Sequence, residues 1–211
     1  AGNCVILKPS RYSGHTALVI EELLSKLFYS NHVATFQGGA EMNRELLQHR
    51  YDHIFFTGSP QVGRLVMESA AKHVTPVTLE LGGKSPVIVE ADADIGLAAR
   101  RIIWGKCLNA GQTCVAPDYV LVERKVANAL LEQMKSAITS MFGSDPLHSS
   151  DLGCIINEKH FSRLIELFSY GTLAWGGQID PKTRRIAPTI ITDPQLDSAL
   201  KIGRASCRER V

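Results

Sequence analysis

Several features that would each point to a function class are missing from this chain. No apolar run is long enough to span a bilayer, although hydrophobic residues make up 45% of the sequence. A formal net charge of only +2 over 211 residues gives no reason to expect a nucleic-acid partner. There are five cysteines, but the closest pair, Cys107 and Cys114, has no histidine beside it. Neither a metal site nor a disulfide framework is expected from that spacing. The Gly-x-Gly-x-x-Gly fingerprint of a standard dinucleotide site is absent, as are internal repeats and low-complexity segments. There is no initiator Met, secretory signal or lipidation motif. The opening residues already read as turn and then strand, so the chain is expected to begin within a fold.

What is present alternates. Residues 5–7 form a short apolar run ending in Lys8-Pro9-Ser10, a strand feeding a turn. Residues 15–29 carry Leu18, Val19, Leu23, Leu27 and Phe28 at helical spacing. A second strand at 33–36 closes in Gln37-Gly38-Gly39, a short helix holds Met42, Leu46 and Leu47, and 53–56 is a third strand. This order predicts an α/β fold with a parallel sheet covered by helices.

Strands are then expected at 75–81 and 86–89. Asp92 and Asp94 can cap a helix through Ile95, Ala98, Ala99, Ile102 and Ile103. A strand at 119–122 precedes a helix with Val126, Leu130, Met134, Ile138 and Met141 on one face, its methionines filling core. Gly143 and Asp145-Pro146 end it. A last helix face uses Phe161, Leu164, Ile165 and Phe168, with short strands at 172–174 and 187–191. Two domains are expected, 1–82 and 83–201, divided near Gly82-Gly83.

Two places invite chemistry. After the third strand comes Phe55-Phe56-Thr57-Gly58-Ser59-Pro60-Gln61-Val62-Gly63. Ser59 suits an N-cap and Pro60 a first helical position, so amide donors at a helix start face whatever anion arrives. Any α/β protein contains such turns, and the bland reading is a well-capped βα junction. The second place is the stretch from Leu79-Glu80-Leu81-Gly82-Gly83-Lys84-Ser85-Pro86 to Gly111-Gln112-Thr113-Cys114-Val115-Ala116-Pro117-Asp118-Tyr119. One end offers a carboxylate and the other a thiol, the pair needed for nucleophilic attack and later base-assisted hydrolysis. Taken alone, a cysteine is more often a small buried hydrophobe, the reading given to Cys4, Cys107 and Cys154. Glu80 alone would more often be a capped or solvated carboxylate.

These two motifs resemble the glutamate and cysteine motifs of the aldehyde dehydrogenase superfamily, and Gly-Gln-Thr-Cys-Val-Ala-Pro-Asp-Tyr resembles its class-3, fatty and aromatic aldehyde branch. The resemblance runs from about residue 2 to about 201. It implies a Rossmann-like cofactor domain followed by part of an α/β catalytic domain. It also implies Cys114 as nucleophile, with its N–H among the oxyanion donors, and Glu80 as the base that hydrolyses a thioester. Asn109 is then structural support for the cysteine turn, and Lys84 has no chemical role. The cofactor is NAD or NADP, with Gly58 and Ser59 near the pyrophosphate and Val62 and Gly63 near the adenosine side. Lys8-Pro9-Ser10-Arg11 resembles the family's Lys-Pro-Ser-Glu turn, which holds the adenosine ribose. Lys8 carries over, whereas Arg11 replaces a carboxylate and either pairs with a 2′-phosphate or points to solvent.

The resemblance further implies an aldehyde substrate, a homodimer for the intact protein and no nucleic acid; membrane association is not readable. An unpaired nucleophilic thiol suits a cytoplasmic location or the cytoplasmic face of a membrane. The resemblance starts after the family's oxyanion Asn and stops before its Glu-x-Phe-Gly-Pro motif, so the chain by itself is expected not to turn over aldehyde. Rival readings are a truncated, inactive nucleotide-binding or scaffold form, and a cofactor-free cysteine hydrolase. Residues 202–211 break the preceding pattern and resemble a translated sequencing-adaptor oligonucleotide. They read as a non-native tail, whose three Arg and one Glu supply the whole net charge of +2.

Overall fold

A computed structural model describes residues 2–195 and 197–202. The tail reading therefore lies, apart from Ile202, outside the described residues. The chain divides into two compact units: residues 1–57 with 62–80, and residues 58–61 with 81–211.

The first unit opens with β1 (Val5–Leu7), α1 (Gly14–Leu27) and β2 (Val33–Thr35). β1 and β2 pair in parallel, Val5 opposite Val33 and Leu7 opposite Thr35. Parallel neighbours need a crossover, and α1 supplies it. Next come α2 (Ala40–Leu46), β3 (Ile54–Gly58), α3 (Pro60–Ala71) and β4 (Val77–Leu81), with β3 beside β4. Within this unit the Thr75 hydroxyl donates to the Tyr51 carbonyl (2.9 Å), and Val66 and Ala70 of α3 are buried. The helical spacing of α1 is real, but its large apolar residues stand in the open. Leu18, Val19, Leu23, Leu27 and Phe28 are all exposed, Leu27 by 70%, and only Ala17 is buried. They form an apolar stripe rather than a packed core face.

The second unit holds the larger core. It contains β5 (Ser85–Val89), α4 (Ile95–Cys107), β6 (Pro117–Val122) and α5 (Arg124–Phe142). β5 and β6 run parallel, with an irregularity between Ser85 and Pro86, where proline has no N–H to give the ladder. Ala99, Ile102 and Ile103 of α4 meet Leu130, Met134, Ala137 and Ile138 of α5 over Val89. Ile138 and Ala99 are fully buried, and an isoleucine buried this way stabilises by about 1.5–3 kcal/mol. Met134 and the partly buried Met141 fill space in that core as expected.

Caps set where these helices start and stop. The Asp94 carboxylate accepts from the Leu97 amide at 2.9 Å and starts α4. Glu123 joins the ends of the two strands: its N–H donates to the Val89 carbonyl, and its carboxylate accepts from the Ala91 amide at 2.7 Å. Gly143, at φ 81°, ends α5. Beyond lie α6 (Glu158–Glu166), β7 (Thr172–Trp175), β8 (Ile179–Asp180), β9 (Arg185–Ile186), β10 (Ile190–Thr192) and α7 (Ala199–Ile202). β7 pairs antiparallel with β10, and β8 with β9. Of the strand expected at 187–191 only the end is found, in β10; residues 187–189 are not strand, and Pro188 among them cannot donate in a ladder. The β8–β9 hairpin was not expected at all.

Because α4 leads directly to Cys114, its start matters. Asp94→Ala should cost about 1 kcal/mol. Urea denaturation of the chain measures it, and an unchanged midpoint would contradict the cap.

Candidate active site

Cys114 stands in the connection between α4 and β6. The two elements approach closely where Gly105 faces Pro117: a Cβ on Gly105 would lie 3.2 Å from the proline ring. After Cys107 the chain makes a short 3-10 turn, Leu108–Gly111. Asn109, Ala110 and Gly111 all take left-handed backbone there, with φ of 52°, 52° and 74°. Gly111 suits this conformation, and a Cβ on it would sit 3.0 Å from the Lys106 carbonyl. Ala110 gains no such exemption, and left-handed backbone costs a residue with a Cβ about 1–2 kcal/mol.

Hydrogen bonds offset that strain. The Gln112 N–H donates to the Asn109 carbonyl (3.1 Å), and the Asn109 side-chain amide to the Gln112 carbonyl (3.4 Å). Asn109 is therefore support for the turn, as read from sequence. The Gln112 side chain reaches further. Its Nε2 donates to the Asn109 and Cys154 carbonyls, both at 3.0 Å, and its Oε1 accepts from the Ile156 amide at 2.9 Å. At about 0.5–1.5 kcal/mol net for each bond, these contacts match the backbone cost. On the other flank the Ser85 hydroxyl donates to the Cys114 carbonyl at 3.3 Å, and the Ala116 amide closes on the Thr113 carbonyl at 3.1 Å. The result is a thiol exposed at the tip of a turn tied on both sides.

Lys84 has more to do than its sequence suggested. It forms an ion pair with Asp118, and its Nζ donates to the Leu200 carbonyl at 2.7 Å. Lys106 approaches the same carboxylate at 3.6 Å. Asp118 thereby links the starts of β5 and β6 to the end of α4 beside the cysteine turn. These residues edge a mainly apolar cavity of about 760 Å³ within the second unit, lined also by Cys107, Leu130 and Phe168.

The four described cysteines are all free. Cys4 and Cys154 are exposed, which corrects their reading as buried hydrophobes; short-range apolar neighbours do not bury a residue unless another element covers it. Cys107 is partly buried, and burial pushes its thiol up to about 11, against a smaller opposing pull from Lys106. Among the described residues no group of three or more metal-ligating side chains converges.

Glu80 lies on β4 in the first unit and is exposed. Gly58 ends β3, Ser59 is exposed, and buried Pro60 takes the first position of α3; Val62 is exposed and Gly63 buried. Lys8 and Arg11 both follow the C-terminal end of β1. A cavity of about 240 Å³ there is lined by Pro9, Ser10, Arg11, Gln37, Gly38 and Gly39, among others. Lys8 Nζ donates to the Pro9 carbonyl (2.8 Å) and the Gly38 carbonyl (3.1 Å). Gly38 sits at φ 144°, and a Cβ there would collide with Met42 at 2.8 Å. Arg11 lies over the Tyr12 ring, 4.8 Å from its centroid, and donates to its hydroxyl at 2.8 Å. Burial first, and then the Arg11 charge, hold the Lys8 ammonium below its ordinary range. Among the described residues Arg11 is the charged side chain lining this cavity, and the Gln37 amide in its wall donates to the Glu21 carboxylate.

Residues 1–201 match the model of the aldehyde dehydrogenase family. The chain belongs to that family. It is 49% identical over 195 residues to mouse aldehyde dehydrogenase family 3 member B2, covering 92% of this chain and 41% of the relative. It is also 49% identical over 193 residues to the rat "Aldehyde dehydrogenase, dimeric NADP-preferring", covering 92% and 43%. A structure of Staphylococcus aureus AldH in a substrate-bound state superposes with a TM-score of 0.89 at 40% identity, covering 95% of this chain and 44% of that one. The chain thus spans about two fifths of the length of the curated relatives it matches, and its place is in the class-3-like branch.

Cys107 and Cys114 should separate by burial. Alkylation at pH 8, mapped by mass spectrometry, should label Cys114 and spare Cys107. Burial favours the neutral Cys107 thiol in the folded state. Its contribution to stability is full below its ordinary value of 9.0 and is lost as pH rises through about 11. Cys107→Ala should flatten the loss of stability between pH 9 and 11, and an unchanged slope would contradict the burial account.

Proposed function

We propose that this chain carries the nucleophile, the hydrolytic base and part of the cofactor site of a class-3-like aldehyde dehydrogenase. The substrate class is a medium-chain, fatty or aromatic aldehyde, and the product is the carboxylic acid. The observation that carries this reading is Cys114, exposed three residues after a left-handed turn at Asn109, Ala110 and Gly111 and tied on both flanks. Strained, over-determined backbone of this kind is characteristic of reacting groups.

In this reading the Cys114 thiolate adds to the carbonyl carbon, and the oxygen that gains charge is met by amide donors including the Cys114 N–H. A bound NAD or NADP would supply the hydride acceptor. A thioester then joins the acyl group to Cys114, and Glu80 takes a proton from the water that releases the acid. Lys8, Arg11, Gly58, Ser59, Val62 and Gly63 are the residues assigned to the dinucleotide. The cavity beside Arg11 suits a phosphate-bearing ribose, because a guanidinium lines it and, among the described residues, no carboxylate does. The Arg11 cation favours NADP, in keeping with the NADP preference named for the rat relative. Free cysteines suit a reducing compartment such as the cytoplasm, and homodimer formation is proposed from the same relative's name.

The test places this segment in the corresponding position of the rat relative and follows aldehyde-dependent reduction of NAD and NADP beside the 211-residue chain. Cys114→Ala should abolish reduction. Arg11→Glu should lower the NADP-to-NAD ratio of kcat/KM by about tenfold, the scale of one charge-assisted bond. Turnover that survives Cys114→Ala would refute the nucleophile, and an unchanged ratio would return Arg11 to the surface.

A further inference from the structure

We propose that Gln112 is a positioning residue: its side-chain amide clamps the Cys114 turn to the Cys154–Ile156 backbone and so fixes the Cys114 N–H where charge develops. The proposal rests on the reading of Cys114 as nucleophile. It starts from how fully this one side chain is used. A glutamine amide has two N–H donors and a carbonyl with two lone pairs. Here Nε2 meets the Asn109 and Cys154 carbonyls, and Oε1 takes the Ile156 amide. No other residue type of this length offers donor and acceptor together at neutral pH. Glutamate lacks the donors, and lysine lacks the acceptor.

The far side of the clamp is itself held. Ile155 is buried, its N–H donates to the Arg184 carbonyl at 2.9 Å, and Arg184 Nε returns a bond to the Ile155 carbonyl at 3.1 Å. Arg185 extends the attachment to the Leu147 and Ser149 carbonyls. Gln112 therefore ties three left-handed residues to a fixed strip of backbone rather than to a loose loop. The tie lies two residues before Cys114, close enough to set the direction of its amide. The thiol itself, exposed at the tip, depends less on that direction.

This asymmetry gives a test in the 211-residue chain that a general loss of fold would not mimic. Gln112→Leu removes the whole clamp, and Gln112→Glu keeps the acceptor for Ile156 while losing the donors. Alkylation of Cys114 by iodoacetamide passes through no oxyanion, whereas hydrolysis of 4-nitrophenyl acetate does. In both variants alkylation should stay within about threefold, while ester kcat falls at least about tenfold with KM little changed. Amide exchange at residues 113–116 should quicken about tenfold in both, and Ile156 should lose protection only in Gln112→Leu. Equal falls in alkylation and hydrolysis, or unchanged exchange at 113–116, would overturn the proposal. If the unmodified chain is alkylated at Cys114 yet hydrolyses no ester, exchange at 113–116 and 156 alone decides the clamp, and Cys114→Ala in the context of the rat relative separately decides the nucleophile reading.

Discussion

Everything proposed for this chain depends on a left-handed turn being held between α4 and β6. Asn109, Ala110 and Gly111 would not keep that conformation in a free peptide, because two of them carry a Cβ. The fold supplies what local preference does not. α4 is fixed at its start by Asp94 and along its length by the α5 core, so the turn begins from a rigid point. β6 is fixed against β5, so it ends at one. Between them Gln112, Asn109 and Ser85 satisfy the polar groups that the turn would otherwise strand.

Charge is arranged with similar economy. In the second unit Lys84 and Lys106 both pair with the Asp118 carboxylate beside the cysteine turn. In the first unit the Arg11 guanidinium lines a cavity whose wall holds no carboxylate among the described residues, while burial first, and then the Arg11 charge, lower the Lys8 ammonium. A guanidinium in such a wall is the counterpart of an anionic group. That contrast underlies the assignment of the phosphate-bearing ribose to the first unit.

Sequence made the alternation of strands and helices legible, because strand runs and helical spacing are local signals. The start of α4 and the glycine that ends α5 were readable for the same reason. Exposure was not. Leu18, Leu23 and Leu27 have the spacing of a core face, yet what covers a helix is decided by chain far away in sequence. Cys154 likewise looked buried from its neighbours and stands open. Cys114 and Glu80 were picked out by motif; their chemical type alone would have left them ordinary. Gln112 lay inside that same motif and was passed over, since its partners at 154 and 156 are distant in sequence. The β8–β9 hairpin escaped because two-residue strands carry no periodicity.

The central claim is that acyl transfer runs through the Cys114 sulfur and that Glu80 releases the product. Quenching a Glu80→Gln variant with acid after a single turnover of a fatty aldehyde and NADP, in the context of the rat relative, tests it directly. Peptide mapping by mass spectrometry should find the acyl mass on the peptide containing Cys114, at a level well above that of the unsubstituted protein. Reduced nucleotide formed without any acylated Cys114, or with acyl mass on Cys107 or Cys154 instead, would contradict the account.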